Sequence, residues 1–244
     1  MCVVGRPILL IQGATRESIM HELDLENLAT YDVTPAAAAE MQEQLAKFVS
    51  LEDQFGPITR IAGVDVNITR GWDTGTCGIV VLSYPNMKAV ETSEFTGQVK
   101  FPYIPGLLAF REMPLLLEAF RQLKHRPDIV FLDGQGYAHP RRFGLACHVG
   151  LALDIPTVGI AKSRLIGHFE ELAREGGSTS PLMDEGERIG DVLRTKDGVK
   201  PIFISPGHKV SFESATDLAL RCVRRYRVPE PTRLAHNLVS ASHY

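Results

Sequence analysis

The hydrophobic positions of the chain change their spacing near its middle. In the first half, three apolar runs at 58–68, 77–84 and 87–95 have the character of strands, and turn residues separate them. Short strands joined by tight turns favour an antiparallel meander. In the second half, apolar runs alternate with segments whose apolar residues recur every three or four positions. That alternation is typical of strands and helices that build a parallel sheet.

The individual elements follow from these patterns and from their caps. Thr34 and Pro35 suit the start of a helix that runs to about residue 49. The later predicted elements are a helix over 107–123, a strand over 128–133, a helix over 142–153, strands over 157–161, 188–195 and 201–205, a helix capped by Ser211, and a last helix from about Pro231. Glycines, serines and charges make 170–187 a predicted surface insertion. The prediction is an α/β protein on a mixed sheet, three antiparallel strands and then parallel ones, flanked by helices.

The composition favours one larger domain. The chain has 244 residues, of which 44% are hydrophobic and 23% are charged, so one sizeable core can form. We expect a single domain over 31–244, preceded by a poorly ordered N-terminal extension over 1–30. The apolar run at 3–11 is too short to span a bilayer, and we expect no membrane segment.

Charge and cysteine content narrow the class of protein. The chain has 26 Lys and Arg against 29 Asp and Glu, a net charge of −3, which argues against holding nucleic acid by bulk positive charge. A local basic patch beside an acidic metal site remains compatible with that balance. The four cysteines form no C-x-x-C pair, which indicates reduced thiols in a cytoplasmic protein.

Two acidic residues stand out in predicted strands. Alternation places Asp65 on one strand face with Gly63 and Asn67, and a buried charge there costs several kcal/mol unless it is paired or bound to metal. An edge strand with a wet polar face explains Asp65 equally well. Asp133 ends the apolar run 129–132, at the strand end where open α/β sheets bind ligands. An ordinary Asp-Gly turn is the alternative for Asp133.

A third acid, Glu112, lies in the predicted helix that follows the meander. Alone it would be a solvated helix residue, and its interest depends on Asp65 and Asp133. Carboxylates from separate elements can converge to hold Mg²⁺ or Mn²⁺, which supports hydrolysis of a phosphodiester. The three acids therefore predict a metal-dependent site.

Basic and aromatic residues follow the same strands. The segments 139–142 and 162–164 carry His139, Arg141 and Lys162 on the rim expected for Asp133, where such groups suit phosphate oxygens. Solvated loop charges are the alternative. Tyr103 lies between prolines that stiffen its loop, so it can stack on a base or wedge between bases, unless it fills the core. His208 is a weaker candidate for this rim than His139.

Four separated segments carry a family resemblance. They read Phe-Pro-Tyr-Ile-Pro-Gly-Leu-Leu-Ala-Phe-Arg-Glu at 101–112, Asp-Gly-Gln-Gly-Tyr-Ala-His-Pro-Arg at 133–141, Gly-Ile-Ala-Lys-Ser-Arg-Leu at 159–165 and Pro-Glu-Pro-Thr-Arg at 229–233. The chain resembles endonuclease V, the deoxyinosine-directed DNA repair nuclease, over roughly 33–236. Four motifs in the right order are far more specific than any single short pattern.

The resemblance implies a ribonuclease H-like fold and cleavage at the second phosphodiester bond 3′ to a deaminated base, with Mg²⁺ as cofactor and Mn²⁺ as a substitute. The residues that match the family's site fall into three groups. The catalytic positions are Asp65, Glu112, Asp133 and His236, of which the three acids Asp65, Glu112 and Asp133 are the metal-site positions; the wedge and DNA-binding positions are Pro102, Tyr103, Ile104, Pro105, His139, Arg141 and Lys162; the base-pocket positions are Gly106, Leu108, Gly134, Gly136 and Gly144.

The expected partner is damaged DNA, as an inosine-containing duplex or single strand, with inosine-containing RNA as a further substrate, and we expect a monomer. Two alternatives stay open. One is a ribonuclease H-like nuclease that acts mainly on inosine-RNA or branched DNA. The other is a lesion-binding protein without catalysis, which the three acids disfavour because a pure binder has no use for carboxylates beside phosphate.

Overall fold

The computed structural model describes residues 33–69 and 74–241. The predicted N-terminal extension over 1–30 lies outside these residues. The helices are α1 (Pro35–Ala46), α2 (Ala109–Arg121), α3 (Leu145–Leu153), α4 (Phe212–Arg221) and α5 (Glu230–Ala241). The strands are β1 (Arg60–Ile68), β2 (Thr74–Ser83), β3 (Lys88–Gln98), β4 (Ile129–Asp133), β5 (Thr157–Ala161), β6 (Thr179–Asp184), β7 (Glu187–Leu193) and β8 (Ile202–His208). None of the helices in this part of the chain is long and apolar enough to cross a membrane.

The strands of the described residues form one mixed sheet in the order β3-β2-β1-β4-β5-β8-β7-β6. The meander β1 to β3 is antiparallel, and β4 and β5 run parallel to β1. The predicted mixed sheet flanked by helices is therefore confirmed. Beyond β5 the sheet continues with β8, β7 and β6, all antiparallel to their neighbours, which the alternation pattern alone did not specify.

The structure corrects the interpretation of 170–187 and the start of the helix predicted over 142–153. The segment 170–187 is not only a surface insertion, because it contains β6, which pairs with β7. Within β6, Ser180 and Leu182 are buried while Thr179 and Pro181 are exposed, and the serines and charges around them obscure this alternation. The helix predicted over 142–153 begins only at Leu145, because Gly144 before it is extended, with φ −82° and ψ −172°.

The sheet has apolar layers on both faces. One layer lies between the sheet and helices α2 and α3, and the other packs against α4. Helix α5 lies over β1 and β2, where Val80 and Leu82 contact Ala235 and its neighbours. The start of α5 approaches β1 so closely that a Cβ atom at Gly63 would stand 1.9 Å from the carbonyl oxygen of Pro231. The absence of a side chain at this position lets α5 lie on the strand that carries Asp65.

We expect Gly63→Ala to displace α5 and to lower the free energy of unfolding by roughly 1 to 3 kcal/mol, as overpacking does in well-packed cores. Urea unfolding measures the change. Gly56→Ala is the matched control, because a Cβ there would have no atom within 4 Å, and it should leave stability equal or slightly higher. An unchanged midpoint for Gly63→Ala would contradict the close contact.

Candidate active site

The carboxyl ends of β1 and β4 bring two acids together. The parallel register pairs Val64 with Leu132, so Asp65 and Asp133 are the next residues on the two strands. Each residue is one step beyond a buried apolar position, and its side chain points to the opposite face of the sheet. The convergence follows from strand register and alternation, although the two acids are 68 positions apart in the sequence (133 − 65).

Helix α5 contributes a third group to this end of the sheet. His236 Nδ1 lies 2.7 Å from Asp65 Oδ2, and Asp65 Oδ1 accepts a hydrogen bond from the Val66 backbone N–H at 2.9 Å. Asp65, Asp133 and His236 each offer one ligand atom, and these atoms lie within 4.8 Å of one another. Carboxylate oxygens with one imidazole nitrogen suit a divalent cation such as Mg²⁺ or Mn²⁺. The donor set therefore fits the metal that the sequence predicts.

The charge balance of this group favours a bound cation. Burial raises the pKa of Asp65, the negative charge of Asp133 raises it further, and the hydrogen bond with His236 opposes both effects. Lys162, the residue after β5, pairs its ammonium group with Asp133 Oδ2. The positive charge of Lys162 also lowers the pKa of Asp65, in opposition to the effect of burial.

Glu112 approaches the same end of the sheet from helix α2. Its side chain is buried, and burial, followed by the charges of Asp65 and Asp133, raises the pKa of Glu112 to about 8. Glu112 is therefore close enough to Asp65 and Asp133 for their charges to act on it. It is nevertheless outside the group of ligand atoms that lie within 4.8 Å of one another. Glu112 also borders a cleft of about 270 Å³ that Tyr103, Leu108 and Arg111 line with the end of β1.

The predicted wedge loop is anchored at both ends and exposed in the middle. Phe101 and Leu107 are buried, whereas Tyr103 is 64% exposed. Tyr103 therefore does not fill the core, and the alternative interpretation of this residue is excluded. Pro102 and Pro105 are exposed on either side of it, and Ile104 is partly buried. The loop presents an aromatic side chain beside the cleft that reaches Glu112.

The basic residues that follow β4 contact other parts of the protein. His139 is buried, and its two ring nitrogens contact the Gly106 carbonyl and the Arg141 backbone N–H. Arg141 also contacts the Gly106 carbonyl, and Arg142 forms ion pairs with Asp184 and Glu187. In this conformation the side chains of His139, Arg141 and Arg142 contact protein atoms. Lys162, the residue after β5, pairs directly with Asp133 of the site.

His208, the weaker candidate for this rim, does not face it. It pairs with Thr157, the first residue of β5, so it lies at the opposite end of the sheet from Asp133. Its Nδ1 atom accepts a hydrogen bond from the Ser50 backbone N–H at 3.2 Å. The prediction failed because β8 runs antiparallel to β5, and its carboxyl end therefore points away from the site.

The predicted base-pocket glycines differ in how closely other atoms pack against them. A Cβ at Gly136 would stand 2.3 Å from the Pro206 carbonyl oxygen, and one at Gly144 would stand 2.4 Å from the Gln135 carbonyl oxygen. At Gly134 the nearest atom would be 3.5 Å away, in ordinary contact. Packing alone requires glycine at 136 and 144, whereas Gly134 leaves room. Gly106, with φ +80°, adopts a conformation that favours glycine.

Sequence reasoning gave no role to two buried polar residues near the wedge loop. Gln42 of α1 contacts Arg141, and Arg111 of α2 donates from Nη1 to the Phe101 carbonyl oxygen at 2.7 Å. Gln42 lies beside Met41 in a helical pattern of apolar residues, and a polar residue within that stripe was the available signal.

The fold and the site define an α/β protein with a cluster of acids, a histidine and a lysine at the carboxyl edge of its sheet.

The comparisons with known proteins agree with this class. The family model of endonuclease V matches residues 43–237. Endonuclease V of Nostoc punctiforme is 46% identical over 213 residues, 87% of this chain and 96% of the relative. The crystal structure of endonuclease V from Streptomyces avermitilis superposes with a TM-score of 0.84 at 38% identity, covering 88% of this chain and 95% of that chain.

A further solved structure contains nucleic acid. It is Ciona intestinalis endonuclease V in complex with a 24mer DNA containing an inosine followed by a ribo-adenosine, with a TM-score of 0.72, 28% identity and coverage of 84% of this chain and 95% of that chain. The chain belongs to the endonuclease V family, and it is an endonuclease.

Proposed function

We propose that this endonuclease recognises deoxyinosine in DNA and hydrolyses the second phosphodiester bond 3′ to it, with Mg²⁺ as the metal and Mn²⁺ as a substitute. The observation that carries the proposal is the convergence of Asp65, Asp133 and His236 within 4.8 Å, in a chain of the endonuclease V family. The DNA-bound Ciona relative, whose DNA contains an inosine, supports the choice of lesion.

The acids and the histidine have distinct roles in this proposal. Asp65, Asp133 and His236 would hold the metal ion, with Glu112 beside them. A bound divalent cation lowers the pKa of water and neutralises the charge that develops on the phosphate. The Asp65 carboxylate accepts from His236 Nδ1–H at 2.7 Å, so the second ring nitrogen, Nε2, carries the lone pair. Asp65 thereby fixes the tautomer in which His236 offers Nε2 as a ligand or a proton acceptor.

Lys162 has a role on the substrate side. Its ammonium group pairs with Asp133 and its side chain is 40% exposed, so it can contact a phosphate oxygen without leaving the site. A positive charge there favours the phosphate that lies beside the acids. His139 and Arg141 are proposed to act on the DNA through the loop that they hold.

The lesion is recognised by extrusion from the stack. Tyr103 is exposed on a loop with prolines on both sides. We assign Tyr103 the role of a wedge that separates the lesion from the neighbouring bases. Extruding a base costs a few kcal/mol, and less for a weakly paired base such as hypoxanthine. Gly134 and its neighbouring glycine loops, with Leu108, form the proposed pocket, in which backbone groups contact the base. The backbone is cut and the glycosidic bond is left intact.

The proposal is tested by nicking of end-labelled oligonucleotides under single-turnover conditions. We expect Mg²⁺-dependent product from inosine in duplex and single-stranded DNA, cut at the second bond 3′ to the lesion, and none in chelator. The panel includes the same sequence without inosine, inosine in RNA and a branched duplex. Faster cutting of inosine-RNA or of the branched duplex would favour the alternative nuclease. Lesion binding without product at any Mg²⁺ or Mn²⁺ concentration would favour a lesion-binding protein without catalysis.

A further inference from the structure

The wedge loop is held from behind through one carbonyl oxygen. The Gly106 carbonyl accepts from His139 Nε2 at 3.0 Å and from Arg141 Nη2 at 2.9 Å. Gly106 ends the Pro-Tyr-Ile-Pro-Gly segment, three positions after Tyr103 (106 − 103). Two donors on one acceptor restrict the peptide plane of Gly106, so they restrict the loop that carries Tyr103.

The partners of His139 determine its tautomer. The Arg141 backbone N–H can only donate, so Nδ1 must accept, and the Gly106 carbonyl can only accept, so Nε2 must carry the proton. Burial, followed by the charge of Arg141, lowers the pKa of His139 to about 4. The ring is therefore neutral near pH 7 and contributes a directed hydrogen bond, not a charge.

Gln42 of α1 fixes the other donor. Its side chain is 1% exposed. Its Oε1 atom accepts from Arg141 Nε at 2.7 Å, and its Nε2 atom donates to the Phe143 carbonyl oxygen at 3.0 Å. These partners allow only one orientation of the amide, since Arg141 Nε–H is a donor and a carbonyl oxygen is an acceptor. The amide therefore orients the guanidinium group whose Nη2 atom contacts Gly106.

We propose that Gln42 is a positioning residue for lesion recognition, which acts by holding Arg141 on the Gly106 carbonyl and so fixing the loop that carries Tyr103. The inference rests on the proposed function. Gln42 lies one position before the segment that the family model matches, and the contact joins α1 to a loop 99 residues later in the chain. Helix α1 thereby takes part in substrate selection.

A merely structural role for Gln42 predicts a different pattern from a positioning role. Loss of structure lowers the cutting of every substrate by the same factor. Loss of wedge positioning lowers the cutting of inosine in a duplex, where the base must be separated from its partner and neighbours, more than that of inosine in a single strand. The ratio of duplex to single-strand cutting therefore distinguishes the two roles.

The experiment compares this ratio for the parent, Gln42→Leu and Gln44→Leu under single-turnover conditions. Removing a hydrogen bond to a charged group at Gln42 should lower duplex cutting by about tenfold or more, with single-strand cutting changed by less than about threefold. Gln44→Leu is the matched control, because Gln44 is on the same helix and its Oε1 atom contacts the exposed Lys47. It should leave the ratio unchanged.

The link to the wedge is tested by a double-mutant cycle. If Gln42 acts through Tyr103, Gln42→Leu should add little to the duplex defect of Tyr103→Ala, because residues that act as a unit are not additive. Additive losses, or an equal loss on both substrates, would overturn the proposal.

If Gln42→Leu does not fold, Arg141→Met takes its place in the same cycle and should give the same substrate-selective, non-additive loss. A parent protein that cuts neither inosine substrate would instead refute the proposed function itself.

Discussion

Replacing Asp133 with asparagine is expected to lower the single-turnover rate of inosine nicking by on the order of a thousandfold, about 4 kcal/mol of transition-state stabilisation. Asp133 ends a strand that is buried on both faces, beside Asp65 and the ammonium group of Lys162. Asparagine keeps the shape but loses the negative charge that holds a divalent cation. The same loss is expected for Asp65→Asn, which also weakens the contact that orients His236.

Binding and cutting should separate in these variants. Fluorescence anisotropy with a labelled inosine duplex should give a dissociation constant near that of the parent, because neither acid belongs to the proposed wedge or base pocket. Asp217→Asn on α4 is the matched control, since it makes the same chemical change at an exposed ion pair with Arg221. If Asp133→Asn and Asp65→Asn both nicked at the parental rate, the two acids would not be part of the mechanism.

Much of this site could be predicted because its signals are local. Asp133 follows four buried apolar residues, so its position at the end of a strand covered on both faces can be predicted from the neighbouring sequence. Asp65 was ambiguous, because an alternating strand fits an edge as well as the centre of a sheet. The parallel pairing of β1 with β4 excludes the edge, and that pairing is a contact between distant segments.

The orientation of side chains was beyond such reasoning. His139 and Arg141 follow a strand and carry groups that suit phosphate, yet both are directed at the Gly106 carbonyl by contacts that span more than 30 residues. His208 lies at the far end of the sheet because β8 runs antiparallel to β5. Motif similarity placed the residues near the site, but only the tertiary contacts give their partners.

Glu112 should make the metal-free protein less stable as the pH rises. Burial, followed by the charges of Asp65 and Asp133, raises its pKa from 4.5 to about 8, so the folded state keeps a proton that the unfolded chain has released. The stabilisation is fully present below pH 4.5 and is lost as the pH rises through about 8. The loss is on the order of 4 kcal/mol in the free energy of unfolding.

A divalent cation should offset this loss, because it stabilises the ionised carboxyl group and releases its proton. Urea unfolding of the parent in chelator should give a lower free energy at pH 8.5 than at pH 5.5, and added Mg²⁺ should narrow the gap. Glu112→Gln cannot ionise, so its pH dependence should be less than half that of the parent. Glu118→Gln, a partly exposed glutamate on the same helix, should keep the parental dependence. If Glu112→Gln matched the parent at both pH values, the buried acid would not be the group that links protons, metal and stability.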